Sequence, residues 1–302
     1  MHLNGPLPTR RPTPPPAHRR TLARRWATGA GMLGAAFALL LGTPGTATAA
    51  AKLPPKNEVR PGEAWMGSGV REEQQPPGGI GTLSHGDGVQ GIDVSHWQGA
   101  INWNSVRGSG IQFAWTKATE GTSYKDSRFS ANYSGAYYAG VIRGAYHFAR
   151  PNSSSGATQA NFFASNGGAW SRDNLTLPGV LDIENNPSGA MCYGLSQTSM
   201  RSWILDFYNT YKARTTRDVV IYTSPSWWNT CTGGWSGMAT RSPLWVAHWT
   251  SNHTPTKPTG FTAWTVWQYT SSGSVPGVAG NVDRDKFNGD RSRLLALANN
   301  TP

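Results

Sequence analysis

Charged residues are few in this chain. Asp, Glu, Lys and Arg make up 14 % of 302 residues, whereas aromatics reach 11 % and tryptophan alone counts 14. That balance excludes a coiled coil and a wholly disordered chain, both of which need far more charge. Cysteine is scarcer still, with only Cys192 and Cys231. Their number rules out a disulfide-dense scaffold, and their positions, far apart in the chain, rule out a C-x-x-C metal or redox centre. The sequence also lacks G-x-S-x-G, Walker A and H-E-x-x-H patterns, which removes the common hydrolase elbow, phosphate loop and zinc-protease helix. Seven histidines offer no close ligand pair. Length fits one large domain or two small ones.

What the chain does have is an uneven positive charge, formally +11. Residues 1–49 carry six arginines and no acid; without them 21 bases face 16 acids, or +5. A basic start, the small and apolar run 27–42 and Ala47-Thr48-Ala49 describe a secretory signal peptide over 1–49. Arg24-Arg25 before Trp26 leaves both the general and the twin-arginine export routes open. The remaining +5 suits a surface drawn to an anionic polymer such as a cell wall, and basic residues do not interleave with aromatics as nucleic-acid binding requires. No later stretch resembles a membrane span. In an exported chain an even cysteine count favours a Cys192–Cys231 disulfide, worth roughly 4 kcal/mol for a loop of about 40 residues. Residues 50–88, with Pro54-Pro55, Pro76-Pro77 and Gly78-Gly79, show no apolar period and read as a propeptide or flexible linker. The globular part is 89–298, one domain.

That part alternates between two periodicities. Strands are expected at 91–95, 111–118, 141–148, 179–184, 219–223, 244–248 and 264–269, with a weak eighth at 278–283. Phe129, Tyr133, Ala136 and Tyr137 recur at helical spacing, as do Met200, Trp203, Ile204, Phe207, Tyr208 and Tyr211 behind an N-cap at Ser196 or Thr198. A terminal helix is expected at 284–297, with Asp283 or Asp285 as possible caps. Near-continuously apolar strands alternating with helices indicate a mainly parallel sheet buried on both faces. Seven or eight strands in this length predict an α/β fold, an irregular (β/α) barrel of about eight strands. It is irregular because 224–243 and 249–263 lack a helical period. An open doubly wound sheet is the alternative, weakened by the missing G-x-G-x-x-G.

The chemistry concentrates at Asp182-Ile183-Glu184. Along a strand, residues two apart share a face, so Val180, Asp182 and Glu184 face one way and Leu181 and Ile183 the other. Two adjoining carboxyls raise at least one pKa, which a general acid near neutral pH requires. Glu184 reaches further and is expected to hold the proton while Asp182 stays ionised. Strand ends of a (β/α) barrel carry its active site. The same rim collects Asp93, Glu120, Tyr146, Tyr222, Trp249, Gln268 and Asp283. Glu120 has a plainer reading, as an ion-pair partner of Lys117 or Arg128, and His147 reads as a packed histidine. Tryptophan and tyrosine suit the flat C–H faces of sugars.

Taken in order, GIDVSHWQG (91–99), FAWTKATEG (113–121), GAYHFAR (144–150), GVLDIEN (179–185), VVIYTS (219–224), LWVAHW (244–249), WTVWQYTSSGSVPGV (264–278) and NVDRDKFNG (281–289) resemble the glycoside hydrolase family 25 muramidases. The resemblance implies an irregular (β/α) barrel that cleaves the β-1,4 bond between N-acetylmuramic acid and N-acetylglucosamine in peptidoglycan. It implies Glu184 as proton donor and Asp182 as its catalytic neighbour, with Asp93 and Asp283 at the other acidic positions. Glu120, Tyr146, Tyr222, Trp249 and Gln268 are expected to bind substrate. The cysteine pair looks like that of bacterial members. No cofactor and no metal are expected, and a monomer is. Two other readings compete: a noncatalytic wall-binding lectin on the same barrel, and an endo-chitinase, whose longer run of spaced aspartates is missing because positions 178 and 180 are Pro and Val.

Overall fold

The computed structural model describes residues 52–55, 58–70 and 88–301. The expected signal peptide and the stretch 71–87 lie outside the described residues. Nine strands form one sheet: β1 (Val89–Val94), β2 (Phe113–Glu120), β3 (Tyr124–Lys125), β4 (Ile142–Phe148), β5 (Val180–Asp182), β6 (Val220–Thr223), β7 (Leu244–Ala247), β8 (Val266–Gly273) and β9 (Val282–Phe287). Eight of them run β1-β9-β8-β7-β6-β5-β4-β2, and pairing of β1 with β2 closes the ring; β3 is appended to β2. The barrel pairs are parallel except at β9, which is antiparallel to both β1 and β8. The irregularity has a simple cause. Only eight residues separate β8 from β9, too few for a crossover helix, so the chain turns straight back.

Among the described residues six α-helices pack outside: α1 (Trp103–Gly108), α2 (Phe129–Tyr138), α3 (Gly156–Phe163), α4 (Gln197–Thr215), α5 (Pro225–Thr232) and α6 (Arg291–Asn299). The expected α4 is capped by Ser196, whose hydroxyl accepts from the Ser199 amide at 3.2 Å. Its stripe Met200, Trp203, Ile204, Phe207, Tyr208 and Tyr211 is buried against the outward residues Leu181, Ile183 and Ile221. Each such side chain contributes about 1.5–3 kcal/mol by leaving water.

Two expectations at the C-terminal end are corrected. The last strand lies at 282–287 rather than 278–283, and the terminal helix begins at Arg291 rather than 284. Asp290, not Asp283 or Asp285, caps that helix, accepting from the Arg293 amide at 2.8 Å. The run Val282-Asp-Arg-Asp-Lys-Phe287 alternates, and alternation is a strand period; the acids face into the barrel. The 224–243 connection also contains α5, begun by Ser224 and Pro225 at the helix start. It is two turns long, too short to print a clear period.

Strand alternation sorts the core. Phe113, Trp115, Tyr146, Val180, Tyr222, Trp245 and Val266 fill the barrel interior. One irregularity matters for the site. Between Lys117 and Thr119 the register of β2 on β4 slips, leaving Ala118 as an extra residue. Such a bulge re-aims the side chains after it. It lets Lys117 and Glu120, three apart, meet at 2.7 Å. Cys192, ahead of α4, is joined to Cys231 in α5, with Cα atoms 5.3 Å apart.

Candidate active site

The C-terminal ends of the parallel strands form one rim, and the sequence's polar residues arrive there by position. Asp93 lies at the end of β1, Tyr146 near the end of β4, Asp182 at the end of β5 and Tyr222 near the end of β6. Asp283 stands at the start of β9. Because β9 runs antiparallel, its start lies at the same rim, and Asp283 is directly opposite Asp93 in register. The expected face of 179–184 is observed: Val180 joins the barrel interior, while Leu181 and Ile183 pack outward. Glu184 sits just past the strand, buried.

Hydrogen bonds tie one wall of the groove together. Gln268 Nε2 donates to Asp93 Oδ2 at 2.8 Å. Its amide oxygen accepts from the Tyr222 hydroxyl at 2.7 Å and from Trp249 Nε1 at 3.0 Å. Two expected binding residues, Tyr222 and Trp249, thus act on the carboxyl of Asp93 through the amide of a third, Gln268, whose orientation they fix. Burial lifts the Asp93 pKa to about 8 despite the Gln268 bond. Burial and then the charges of Glu184 and Asp93 push Asp182 well above the carboxylate range, with Lys117 opposing. Among the described residues neither Asp182 oxygen has a hydrogen-bond partner. Tyr146 and Tyr222 are raised by burial and by the surrounding acids, so their hydroxyls remain neutral donors.

The groove is filled by the chain's own residues 62–70, which changes the proton distribution. The Gly67 and Gly69 amides each donate to one oxygen of Glu184, both at 2.9 Å. Glu184 is therefore held as an acceptor by two backbone donors, while burial pushes the Asp182 carboxyl toward its neutral form. That corrects, for the filled groove, the expectation of an ionised Asp182. Its physical reason is burial of Asp182, followed by the charges of Glu184 and Asp93.

Glu120 is placed in an ion cluster. It pairs with Lys117 at 2.7 Å and with Arg150 at 2.7 Å, and it accepts from the Gly62 amide at 2.8 Å. Burial opposes its charge, but Lys117 and Arg150 outweigh burial and hold its pKa below the ordinary value. The expected partner Lys117 is found, and the second partner is Arg150 rather than Arg128. A pocket of about 430 Å³ opens beside this cluster, bounded by Tyr124, Arg150 and Ser188. His147 is a packed histidine. Its Nδ1 faces the Thr119 hydroxyl at 2.8 Å and its Nε2 faces Gln159 Oε1 at 2.9 Å.

Sequence reasoning missed Arg150 and Asp285 as members of the rim. Asp285 is fully buried, and burial followed by Asp93 and Asp283 raises it well above the carboxylate range. The signal was present: Asp285 is two residues from Asp283, hence on the same face of a strand.

The chain is similar to several known proteins. The family model "Glycosyl hydrolases family 25" matches residues 92–278. Lysozyme M1 of Streptomyces globisporus is 65 % identical over 279 residues, covering 90 % of this chain and 93 % of that protein. N,O-diacetylmuramidase of Chalaropsis sp is 42 % identical over 205 residues, 66 % of this chain and 97 % of that protein. The crystal structure of the bacterial lysozyme from Streptomyces coelicolor superposes with a TM-score of 0.71 at 72 % identity, covering 72 % of this chain and 99 % of that one. The strand-end acids, the closed barrel with its one reversed strand and these matches agree: the chain belongs to the glycosyl hydrolases family 25 and is a glycoside hydrolase.

Proposed function

We propose that this protein is a secreted lysozyme that hydrolyses the β-1,4 bond between N-acetylmuramic acid and N-acetylglucosamine in peptidoglycan. The single observation that carries this reading is the meeting of Asp93, Asp182, Glu184 and Asp283 on one rim, in a chain whose relatives are named lysozymes and muramidases. Export follows from the leader sequence and from a substrate that lies outside the cell. The alternatives are disfavoured: a lectin has no use for buried, mutually raised carboxyls, and none of the relatives named above is a chitinase.

Glu184 is the proton donor to the leaving oxygen. Asp182 and Glu184 adjoin, so the pair holds one proton over a wide pH range. In the open groove water returns to Asp182, and the proton passes to the outer carboxyl, Glu184. Asp182 then orients the 2-acetamido group of the bound muramic acid. The carbonyl oxygen of that group attacks the anomeric carbon as the glycosidic bond breaks and its oxygen takes the Glu184 proton. Water subsequently opens the cyclic intermediate, giving its proton back to Glu184, with net retention. Both carboxyls sit side by side at one strand end rather than on opposite walls, which favours assistance over attack by Asp182 itself. Asp93, held by Gln268, and Asp283 shape the acidic floor, and Tyr146, Tyr222 and Trp249 bind the sugar.

Glu184→Gln is expected to lower wall-lysis rates by about 10²–10⁴-fold or more. The assisted step is tested with a substrate whose cleaved muramic residue lacks its N-acetyl group. Binding should persist while hydrolysis nearly stops; normal turnover, or a glycosyl adduct trapped on Asp182, rules the assisted route out.

A further inference from the structure

We propose that residues 58–70 are an intramolecular inhibitor seated in the substrate groove, so that the chain carrying them is a latent form of the enzyme. The proposal rests on the muramidase reading of the groove and concerns its control.

The segment is seated by burial as well as by polar contacts. Val59, Ala64, Trp65, Met66 and Val70 are buried. Met66 and Val70 join the barrel-interior cluster beside Tyr146, Tyr222 and Trp249. Trp65 packs edge-on against Trp97 with ring centroids 6.2 Å apart. The sequence 58–70 is poor in regular period, which is why it reads as a linker. Its apolar residues are spaced for a succession of tight turns instead, closed by Glu63 N to Arg60 O, Ser68 N to Trp65 O and Val70 N to Gly67 O at 2.9–3.0 Å.

Its polar contacts fall on the reactive groups. Gly67 and Gly69 occupy both oxygens of Glu184 with backbone N–H donors at 2.9 Å. Gly62 donates to Glu120 at 2.8 Å, and the Glu63 carbonyl accepts from Trp97 Nε1 at 2.8 Å. Lys117 Nζ donates to the Ala64 carbonyl, and Asn185 Nδ2 donates to the Gly69 carbonyl. The segment thus offers peptide N–H and C=O groups where the substrate would offer acetamido N–H and C=O groups. It covers the catalytic pair and ties Glu184 down as an acceptor, the opposite of what proton donation needs.

Glycine is what lets the backbone come this close. Gly67 has φ +87, and a Cβ there would lie 3.0 Å from the Trp249 ring, 3.2 Å from Gln268 Oε1 and 3.3 Å from the Tyr222 hydroxyl. A Cβ on Gly69 would collide with the Asn185 backbone and come within 2.7 Å of its Cβ. Any side chain at 69 is therefore incompatible with the seat, while the barrel itself is untouched. Being tethered, the segment competes at a high effective concentration; cut loose, it competes only at its solution concentration.

The test compares the full chain, its Gly69→Val variant and a full chain cleaved at a protease recognition sequence placed between Val70 and Gly88. Lysis of defined peptidoglycan and amide hydrogen exchange of 58–70 are measured for each. The proposal expects at least tenfold faster lysis from the variant and from the cleaved chain, slow exchange of the Gly67 and Gly69 amides in the intact chain only, and competitive inhibition of the cleaved chain by a synthetic 58–70 peptide. Equal lysis by all three forms overturns it, as does free-peptide exchange at Gly67 and Gly69 in the intact chain. Inactivity of every form instead sinks the muramidase reading, and the inhibitor with it.

Discussion

Gln268 is the residue on which one wall of the groove depends. Its amide nitrogen donates to Asp93 while its oxygen takes bonds from Tyr222 and Trp249. Replacing it with Met keeps the volume, removes a bond to a carboxyl and strands two buried donors. A buried donor left unsatisfied costs about 1–3 kcal/mol, so Gln268→Met should lower kcat/KM by roughly 10–100-fold. Steady-state kinetics on soluble wall fragments checks this, and a near-normal value would remove Gln268 from the site. His147 gives a different readout. Burial drops its pKa from 6.5 to about 4. Between those values the unfolded chain binds the extra proton and the folded chain does not, so stability falls as pH drops from 6.5 to 4, by about 3 kcal/mol. Asp93 acts in the opposite sense. Its folded value of about 8 means that stability is lost as pH rises through the window from 3.8 to 8. Denaturant titrations of the wild type and His147→Gln across pH 4–7 separate the two: relative to the variant, the wild type should lose stability as pH falls, and an unchanged difference would contradict the assignment.

At the scale of elements, the disulfide and α4 make the next prediction. Cys192 and Cys231 tie the approach to α4 to α5, in the outer layer that packs against α4. Reduction should lower the melting temperature while leaving catalysis in the cold intact; loss of activity at unchanged fold would place the bridge in the site. The strands β1, β2 and β4–β8 were legible because their residues are largely apolar and buried, and α4 because its stripe is long and its period clean; in α2 the period located the helix although Tyr137 is exposed. Asp182 and Glu184 were legible because strand alternation fixes their face. What the sequence concealed depends on exceptions to period. The bulge at Ala118 brings Lys117 to Glu120, and no local pattern announces it. The reversal of β9 moved a strand and a helix start by several residues, since Asp283 and Asp285 look as much like helix caps as like strand residues. The seat of 58–70 was invisible because its turns depend on the barrel beneath them.

Across the whole molecule, the barrel and the segment 58–70 divide the burden between fold and control. The barrel core is built from its own strands and helices, with Met66 and Val70 the segment's additions to the interior cluster. A chain starting at Val89 should therefore fold cooperatively and lyse walls without the preceding residues. Failure to fold would make the segment a required part of the core. Which bond the rim acids cut is read directly from the products, without reference to control or stability. Defined peptidoglycan is digested with the Val89 chain and the fragments are reduced and read by mass spectrometry. The account predicts fragments that end in reducing N-acetylmuramic acid, absent from a parallel digest with Glu184→Gln; fragments ending in reducing N-acetylglucosamine, or muramic ends produced equally by Glu184→Gln, would contradict it.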